Sequence, residues 1–443
     1  MNKQLSHILS VLSLIAILIS MTALPAQAQG VTCAADVTIK AGDALTTLAG
    51  RYYGDISGYS AIVAATNAKA AVDQSYTRID DPNVLALGWK LCIPGPITAP
   101  GATSGAATGT STPSIGPASA TPTPTSPPPV QTAVAQVDWK AVGESMTIAN
   151  MRTRVYPGSA ITIEQTLNAG VNYSRYLASY RSDNLKIYAM LTIPNGQKPA
   201  TGWPVIVFNH GYIPPEVYRT TERYINYVDG FARNGYIVFK SDYRGHGSSE
   251  GQASGGYGSP DYTVDVMNAV ASLKKHPDAD PNRIGMWGHS MGGYITLRSM
   301  VISKDVKVGV IWGGVVGSYD DIMNNWHSPV REVPTGARAR SWRQGITKVY
   351  GTPQTNPTFW NSISSNSYLA DLSGPLQLDH STTDEEVPVE FSQNLYKQMQ
   401  AAGKTVELYT YAGDNHNISA NFNVAMAHSL EFFDQYLKPA PAQ

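Results

Sequence analysis

Charge and cysteine are both scarce in this 443-residue chain. Charged residues make up 15% of it and sum to a net charge of −1, which argues against a nucleic-acid partner. Only two cysteines occur, Cys33 and Cys92, and no cluster of ligand-type residues has metal-site spacing, so no metal or organic cofactor is expected. Outside the N-terminal run, no stretch approaches the ~20 apolar residues that a membrane helix needs. Residues 95–136 contain neither a charged nor an aromatic side chain. Such a segment cannot bury enough apolar surface to fold.

The residues that are present divide the chain into four parts. A charged start (Met1-Asn2-Lys3), an apolar run over 8–24 and the small-residue site Ala26-Gln27-Ala28 read as a signal peptide over 1–28. Export to a secreted or cell-wall-associated location follows as the expectation, with no stable membrane span once the signal is cleaved. Residues 33–94 form a small unit bracketed by Cys33 and Cys92, and in an oxidising compartment a disulfide between them is the natural reading. The segment 95–136, with its Thr-Pro-Thr-Pro-Thr-Ser-Pro-Pro-Pro stretch, reads as an extended linker. Residues 137–443 alternate strand and helix patterns, which argues an α/β domain with a mostly parallel, doubly wound sheet. Strands are expected near 185–193, 205–209, 236–241, 283–288, 307–314, 375–379 and 404–410. Helices are expected near 217–233, 261–275, 291–303, 388–402 and 422–437.

Within that domain, Gly288-His289-Ser290-Met291-Gly292 reads G-x-S-x-G between an apolar strand and a helix-like segment. A serine on a sharp strand-to-helix turn is exposed as a nucleophile, and the glycines let strand and helix approach closely. A serine hydroxyl needs a base, and the base needs an orienting acid. Of the nine histidines, His416 sits in a loop after the last strand and before the last helix, where it can swing over the carboxyl edge of the sheet. His380 follows a strand and is a minor candidate; His428 is expected to pack within a helix, and His289 to point away from the nucleophile. Among Asp379, Asp384, Glu385 and Glu386, Asp384 lies past a tight turn at the distance needed to reach an imidazole. Asp379 is expected to serve the sheet edge, and the two glutamates to be solvated. The N–H groups of Met291 and Tyr212 are candidate oxyanion donors. Arg244 is expected to pair with Asp242 in an ordered loop.

Two resemblances carry these readings further. Residues 180–438 resemble the α/β-hydrolase fold of the prolyl-oligopeptidase and dienelactone-hydrolase group. The likeness rests on Asn209-His210-Gly211-Tyr212, on the 241–251 and 280–294 stretches around Arg244 and Ser290, on Asp384-Glu385-Glu386-Val387-Pro388, and on Tyr411-Ala412-Gly413-Asp414-Asn415-His416. It implies the same roles for Ser290, Asp384 and His416. The chain departs from the group at Ser381 and Tyr212, where glycine is usual, and lacks the β-propeller of prolyl oligopeptidase. The first unit resembles a LysM domain through Gly42-Asp43-Ala44-Leu45, Tyr52-Tyr53-Gly54-Asp55, Ala65-Thr66-Asn67 and Gly88-Trp89-Lys90-Leu91-Cys92. That implies a small βααβ unit binding peptidoglycan or another N-acetylglucosamine glycan, with Gly42, Asp43, Ala44 and Leu45 as contacts. Its 69–87 stretch is longer than the usual connection.

About sixty residues separate the strand near 307–314 from that at 375, too many for an ordinary connection. Residues 317–374 are therefore expected to form a helical lid, with Trp326 and Trp342 lining an acyl pocket. The sum is an exported serine hydrolase acting on a small acyl ester or peptide. The alternatives are a carboxylesterase without peptidase activity and an inactive cell-wall-binding protein.

Overall fold

Two units divide the chain, Met1–Pro122 and Thr123–Gln443, in a computed structural model that describes residues 32–40, 45, 48, 49, 52, 59–79, 88–95, 137–326 and 337–438. The expected signal peptide, most of the linker, and Gly42, Asp43 and Ala44 lie outside the described residues.

In the first unit, β1 (Cys33–Thr38) alternates half-buried and exposed positions, as a strand with one packed face must. Helix α1 (Tyr59–Ala70) follows, and β2 (Lys90–Pro94) pairs antiparallel with β1. A disulfide joins Cys33 to Cys92 across that pair. Leu45, Leu48 and Ala49 are helical and pack with Ile62, Leu91 and Ile93. Leu45 is only 2% exposed, so its side chain serves the small core and does not reach a glycan. Asn67 ties down the 71–79 segment by accepting the Ile79 N–H and donating to the Ile79 carbonyl.

The second unit opens with α2 (Trp139–Met146) and α3 (Ile148–Thr153), then builds a nine-stranded sheet. Its strands are β3 (Thr162–Leu167), β4 (Tyr173–Ser182), β5 (Leu185–Pro194), β6 (Trp203–Asn209), β7 (Ile237–Ser241), β8 (Ala279–His289), β9 (Val306–Trp312), β10 (Leu376–Ser381) and β11 (Val406–Tyr411), in spatial order β11-β10-β9-β8-β6-β7-β5-β4-β3. From β7 to β11 every pairing is parallel, while β3, β4, β5 and β7 pair antiparallel in turn. The crossovers are α4 (Ile225–Ala232), α5 (Asp261–Leu273), α6 (Met291–Ile302) and α9 (Val389–Ala401), with α7 (Ala337–Tyr350) and α8 (Pro357–Ile363) in the long insertion and α10 (Phe422–Leu437) after the last strand.

Strand alternation sorts the core onto two faces. Val205, Val207, Ile237, Phe239, Ile284 and Met286 join the cluster shared with α5, α6 and α9. Ile206, Phe208, Val238 and Trp287 face the opposite way, into the cluster shared with α4 and α10. Covering both faces is what a parallel sheet of continuous apolar strands requires.

Three differences from the sequence reading have physical causes. Strand β3 was not anticipated because its residues are nearly all exposed; an edge strand wetted on both faces carries no hydrophobic period. The helix expected from 217 begins only at Ile225, where Tyr224 holds the left-handed conformation at φ 61° ahead of the first turn. The strand expected to reach 314 ends at Trp312, where Gly313 turns to φ 50°.

The 317–374 insertion contains a π turn (Asp321–Asn325), α7, α8 and a 3-10 segment (Ser365–Asp371). Its Trp342, Ile346, Phe359 and Trp360 belong to the same buried cluster as α5 and α6. The interior of the insertion is thus continuous with the domain core.

Arg244 does not pair with Asp242. Its guanidinium and backbone N–H both donate to the buried carboxylate of Asp265 in α5, and its Nη2 also reaches Asp183. Asp242 instead accepts from Thr220 and Ser249. The sequence order Asp242-Tyr243-Arg244 suggested a local pair, but the sheet carries Arg244 toward α5. Removing Asp265 leaves Arg244 with Asp183 and Asp261 but without its buried partner, so Asp265→Ala should cost about 1–3 kcal/mol, read as a lower urea midpoint.

Candidate active site

Ser290 lies between β8 and α6 with φ 55° and ψ −119°, a conformation that costs a non-glycine residue about 1–3 kcal/mol. Its backbone is held there from several sides. Its N–H donates to the Trp312 carbonyl at 3.0 Å, and its carbonyl accepts from Gly293 and Val315 at 2.9 and 3.1 Å. A Cβ on Gly292 would collide with the Asn209 backbone, and one on Gly288 with the Gly292 carbonyl. Glycine at both positions is what lets α6 start against the ends of β6 and β8.

The ends of β10 and β11 supply the next groups. His416 Nδ1 donates to Asp384 Oδ2 at 2.7 Å. Asp384 Oδ1 accepts the backbone N–H groups of Glu386 and Val387 at 2.8 and 2.9 Å. Burial opposes ionisation of Asp384, but hydrogen bonds from His380 and His416 outweigh it and hold the carboxyl well below its ordinary range. Burial likewise opposes the charged form of His416; the Asp384 hydrogen bond and charge win, and the imidazole lies above its ordinary pKa. Among the described residues no hydrogen-bond partner reaches the buried His416 Nε2, which leaves its lone pair open to a proton.

The His416 loop lies over the strand ends that flank Ser290. The His416 carbonyl is 3.2 Å from His289 Nε2, and the two rings sit 4.6 Å apart. A Cβ on Gly313 would press on the His416 ring. His289, expected to point away, therefore lies beneath the His416 loop. Its Nδ1 bonds Tyr224 Oη at 2.8 Å, and burial pushes its pKa down to about 3, so it stays neutral.

Tyr224 was not foreseen in the sequence. Its Oη also accepts the Gly211 N–H at 3.0 Å. With that N–H committed, the Tyr212 N–H is the next donor along the loop after β6. Met291 opens α6, where a helix has N–H groups without intrahelical acceptors. These are the two groups expected to face an oxyanion.

Asp414 O accepts from both Ser381 Oγ and Thr383 Oγ1, at 2.5 and 2.7 Å. The Asp414 carboxylate accepts from Asn415, Ala420 and Asn421 and so shapes the histidine loop. Ser381, a departure from the usual glycine, thus ties the acid loop to the base loop. Glu385 and Glu386 are not merely solvated. Glu385 Oε2 accepts the His416 N–H at 3.0 Å, and Glu386 Oε2 lies 3.9 Å from His416 Nε2.

The remaining residues separate. Asp379 is fully buried, accepts from Tyr411 Oη at 2.7 Å and has its pKa driven far up by burial. His428 stacks on Tyr409. Trp326 Nε1 donates to the Glu386 carbonyl at 2.8 Å, and its ring meets Tyr257 edge-on, beside the acid loop. Trp342 is 8% exposed and packs against Gly258 and Tyr319; it supports the insertion from within. Among the described residues, no cluster of three His, Cys, Asp or Glu side chains could hold a metal ion, and no helix is long and apolar enough to cross a membrane.

Residues 224–440 match the model described as the prolyl oligopeptidase family. The chain is 27% identical over 265 residues to the "Uncharacterized peptidase YuxL" of Bacillus subtilis (strain 168), covering 58% of this chain and 38% of that one. It is 26% identical over 206 residues to the "Uncharacterized peptidase YtmA" of the same organism, covering 45% of this chain and 72% of that one. In fold it is similar to an acetyl xylan esterase from Paenibacillus sp. R4, with a TM-score of 0.50 at 16% identity, over 68% of this chain and 93% of the other. The chain thus spans little more than a third of the first of these relatives. The sheet is of the α/β-hydrolase type.

Proposed function

We propose that Ser290, His416 and Asp384 form the catalytic triad of this hydrolase, acting on ester or peptide bonds through an acyl-enzyme. The observation that carries the reading is the 2.7 Å bond from His416 Nδ1 to a carboxylate held ionised, in a loop lying over the strained Ser290 elbow. His416 Nε2 takes the Ser290 proton as Oγ attacks the carbonyl carbon, then returns it to the leaving group. Asp384 fixes the tautomer and stabilises the imidazolium. The N–H groups of Tyr212 and Met291 receive the oxyanion. Water, deprotonated by the same imidazole, releases the acyl group.

A fluorophosphonate probe tests this directly. It should label the wild-type chain and leave Ser290→Ala unlabelled; labelling retained in that variant would refute the assignment. The base must be neutral to act, and His416 sits above its ordinary pKa. The value of kcat/KM should therefore fall as pH drops through a point above the ordinary imidazole value of about 6.5. A profile flat down to pH 6 would argue against His416.

The substrate bond is drawn two ways. Similarity to proteins named peptidases favours aminoacyl or peptidyl substrates. The likeness in fold to a protein titled an esterase brings in esters as the second class. Rates on a panel of aryl esters and aminoacyl-anilides separate them.

For the first unit, the same proposal is a LysM-type glycan-binding module carried on an exported chain, with the linker as tether. Support comes from the antiparallel β1–β2 pair closed by a disulfide over a helical core. The full chain should co-sediment with insoluble peptidoglycan and be displaced by N-acetylglucosamine oligomers. Equal sedimentation with cellulose would count against it.

A further inference from the structure

His380 is the penultimate residue of β10, and its side chain is fully buried. Its Nε2 lies 3.0 Å from the Val387 carbonyl and 3.1 Å from Asp384 Oδ2. Both partners can only accept, given that Asp384 is ionised, so Nε2 carries a hydrogen. Its Nδ1 lies 2.7 Å from Ser392 Oγ in α9. Every polar atom of the ring is thus engaged, and the tautomer at Nε2 is set by its surroundings.

The Asp384 side chain is 1% exposed; it accepts three hydrogen bonds and shares the His380 Nε2–H with the Val387 carbonyl. Oδ1 takes the Glu386 and Val387 N–H groups; Oδ2 takes the His416 N–H and lies 3.1 Å from His380 Nε2. Two imidazoles therefore meet on one oxygen, only one of them in the loop that overlies Ser290. His380 itself is fully buried.

We propose that His380 is a positioning residue for hydrolysis: its Nε2–H pins the Asp384 carboxylate and divides the charge of Oδ2 between two imidazoles. This rests on the triad assignment above. Removing the donor has two consequences with the same sign. Asp384 loses one of the hydrogen bonds that keep it ionised, and Oδ2 becomes a stronger acceptor for His416, which makes that imidazole more basic. Both move the acid limb of the activity profile to higher pH. The other ionisable groups around His416 are His289, Glu385 and Glu386, of which His289 also feels His380 through space.

The test compares His380→Leu, which cannot donate, with His380→Gln, whose amide can. In the full chain H380L should lower kcat roughly 10- to 100-fold, the scale of a small misalignment of reacting groups. KM should change much less, and the acid limb should move to higher pH. H380Q should recover most of kcat and the wild-type limb. A kcat for H380L within about twofold of wild type with an unmoved limb, or an H380Q as impaired as H380L, overturns the proposal. A second measurement needs no variant. In wild-type protein with 15N-labelled histidine, the His380 Nε2–H resonance should shift when the fluorophosphonate modifies Ser290, because the change at His416 reaches it through Asp384. An unshifted resonance also overturns it. Ser290→Ala run alongside keeps the two ideas apart: if it still hydrolyses substrate, the triad itself fails, whatever His380 does.

Discussion

The backbone of Ser290 is the constraint from which the rest of the site follows. A non-glycine residue at φ 55° and ψ −119° persists only where its surroundings over-determine it. Here the surroundings are the carboxyl ends of three adjacent parallel strands. β9 accepts the Ser290 N–H, β6 closes on Gly292, and the turn after β9 returns Val315 N–H to the Ser290 carbonyl. The core on both faces of the sheet fixes those strand ends in space, and the burial of Trp287, Trp312 and Phe208 offsets the local strain.

A second layer of order lies in the loops after β10 and β11. Parallel pairing in register from Leu376↔Val406 to Ser381↔Tyr411 delivers both loops to the same edge. They are then joined to each other: Ser381 and Thr383 reach the Asp414 carbonyl, Glu385 reaches the His416 N–H, and Asp384 reaches the His416 ring. A charge buried this far is tolerated because all of its acceptor capacity is met. The insertion adds a further brace, since Trp326 bonds the Glu386 carbonyl from the π turn. The acid loop is thereby held from the sheet, from the histidine loop and from the insertion.

Much of this was legible in the residues. The G-x-S-x-G pattern, a loop aspartate after one strand and a loop histidine after the next are local signals, each readable within a few positions. What was misread was read locally. Arg244 was assigned to its neighbour Asp242, whereas the fold offers it Asp265 in a different element. Glu385 and Glu386 looked solvated because charged pairs on short loops usually are; their proximity to His416 depends on how two loops meet. His380 was weighed as a spare base, and its bond to Asp384 comes from the turn folding back across four residues.

The alternation of strands and helices from β5 to α10 outside the insertion, the mostly parallel sheet and the positions of Ser290, Asp384 and His416 along the chain were legible in the sequence itself. Hydrophobic period, turn chemistry and glycine placement act over short range and survive in one dimension. Which groups share a hydrogen bond was decided only by tertiary structure. Tyr224 on Gly211 and His289, Ser381 on Asp414 and His380 on Asp384 each need two elements brought to one edge, and no periodicity in either element encodes the other's position.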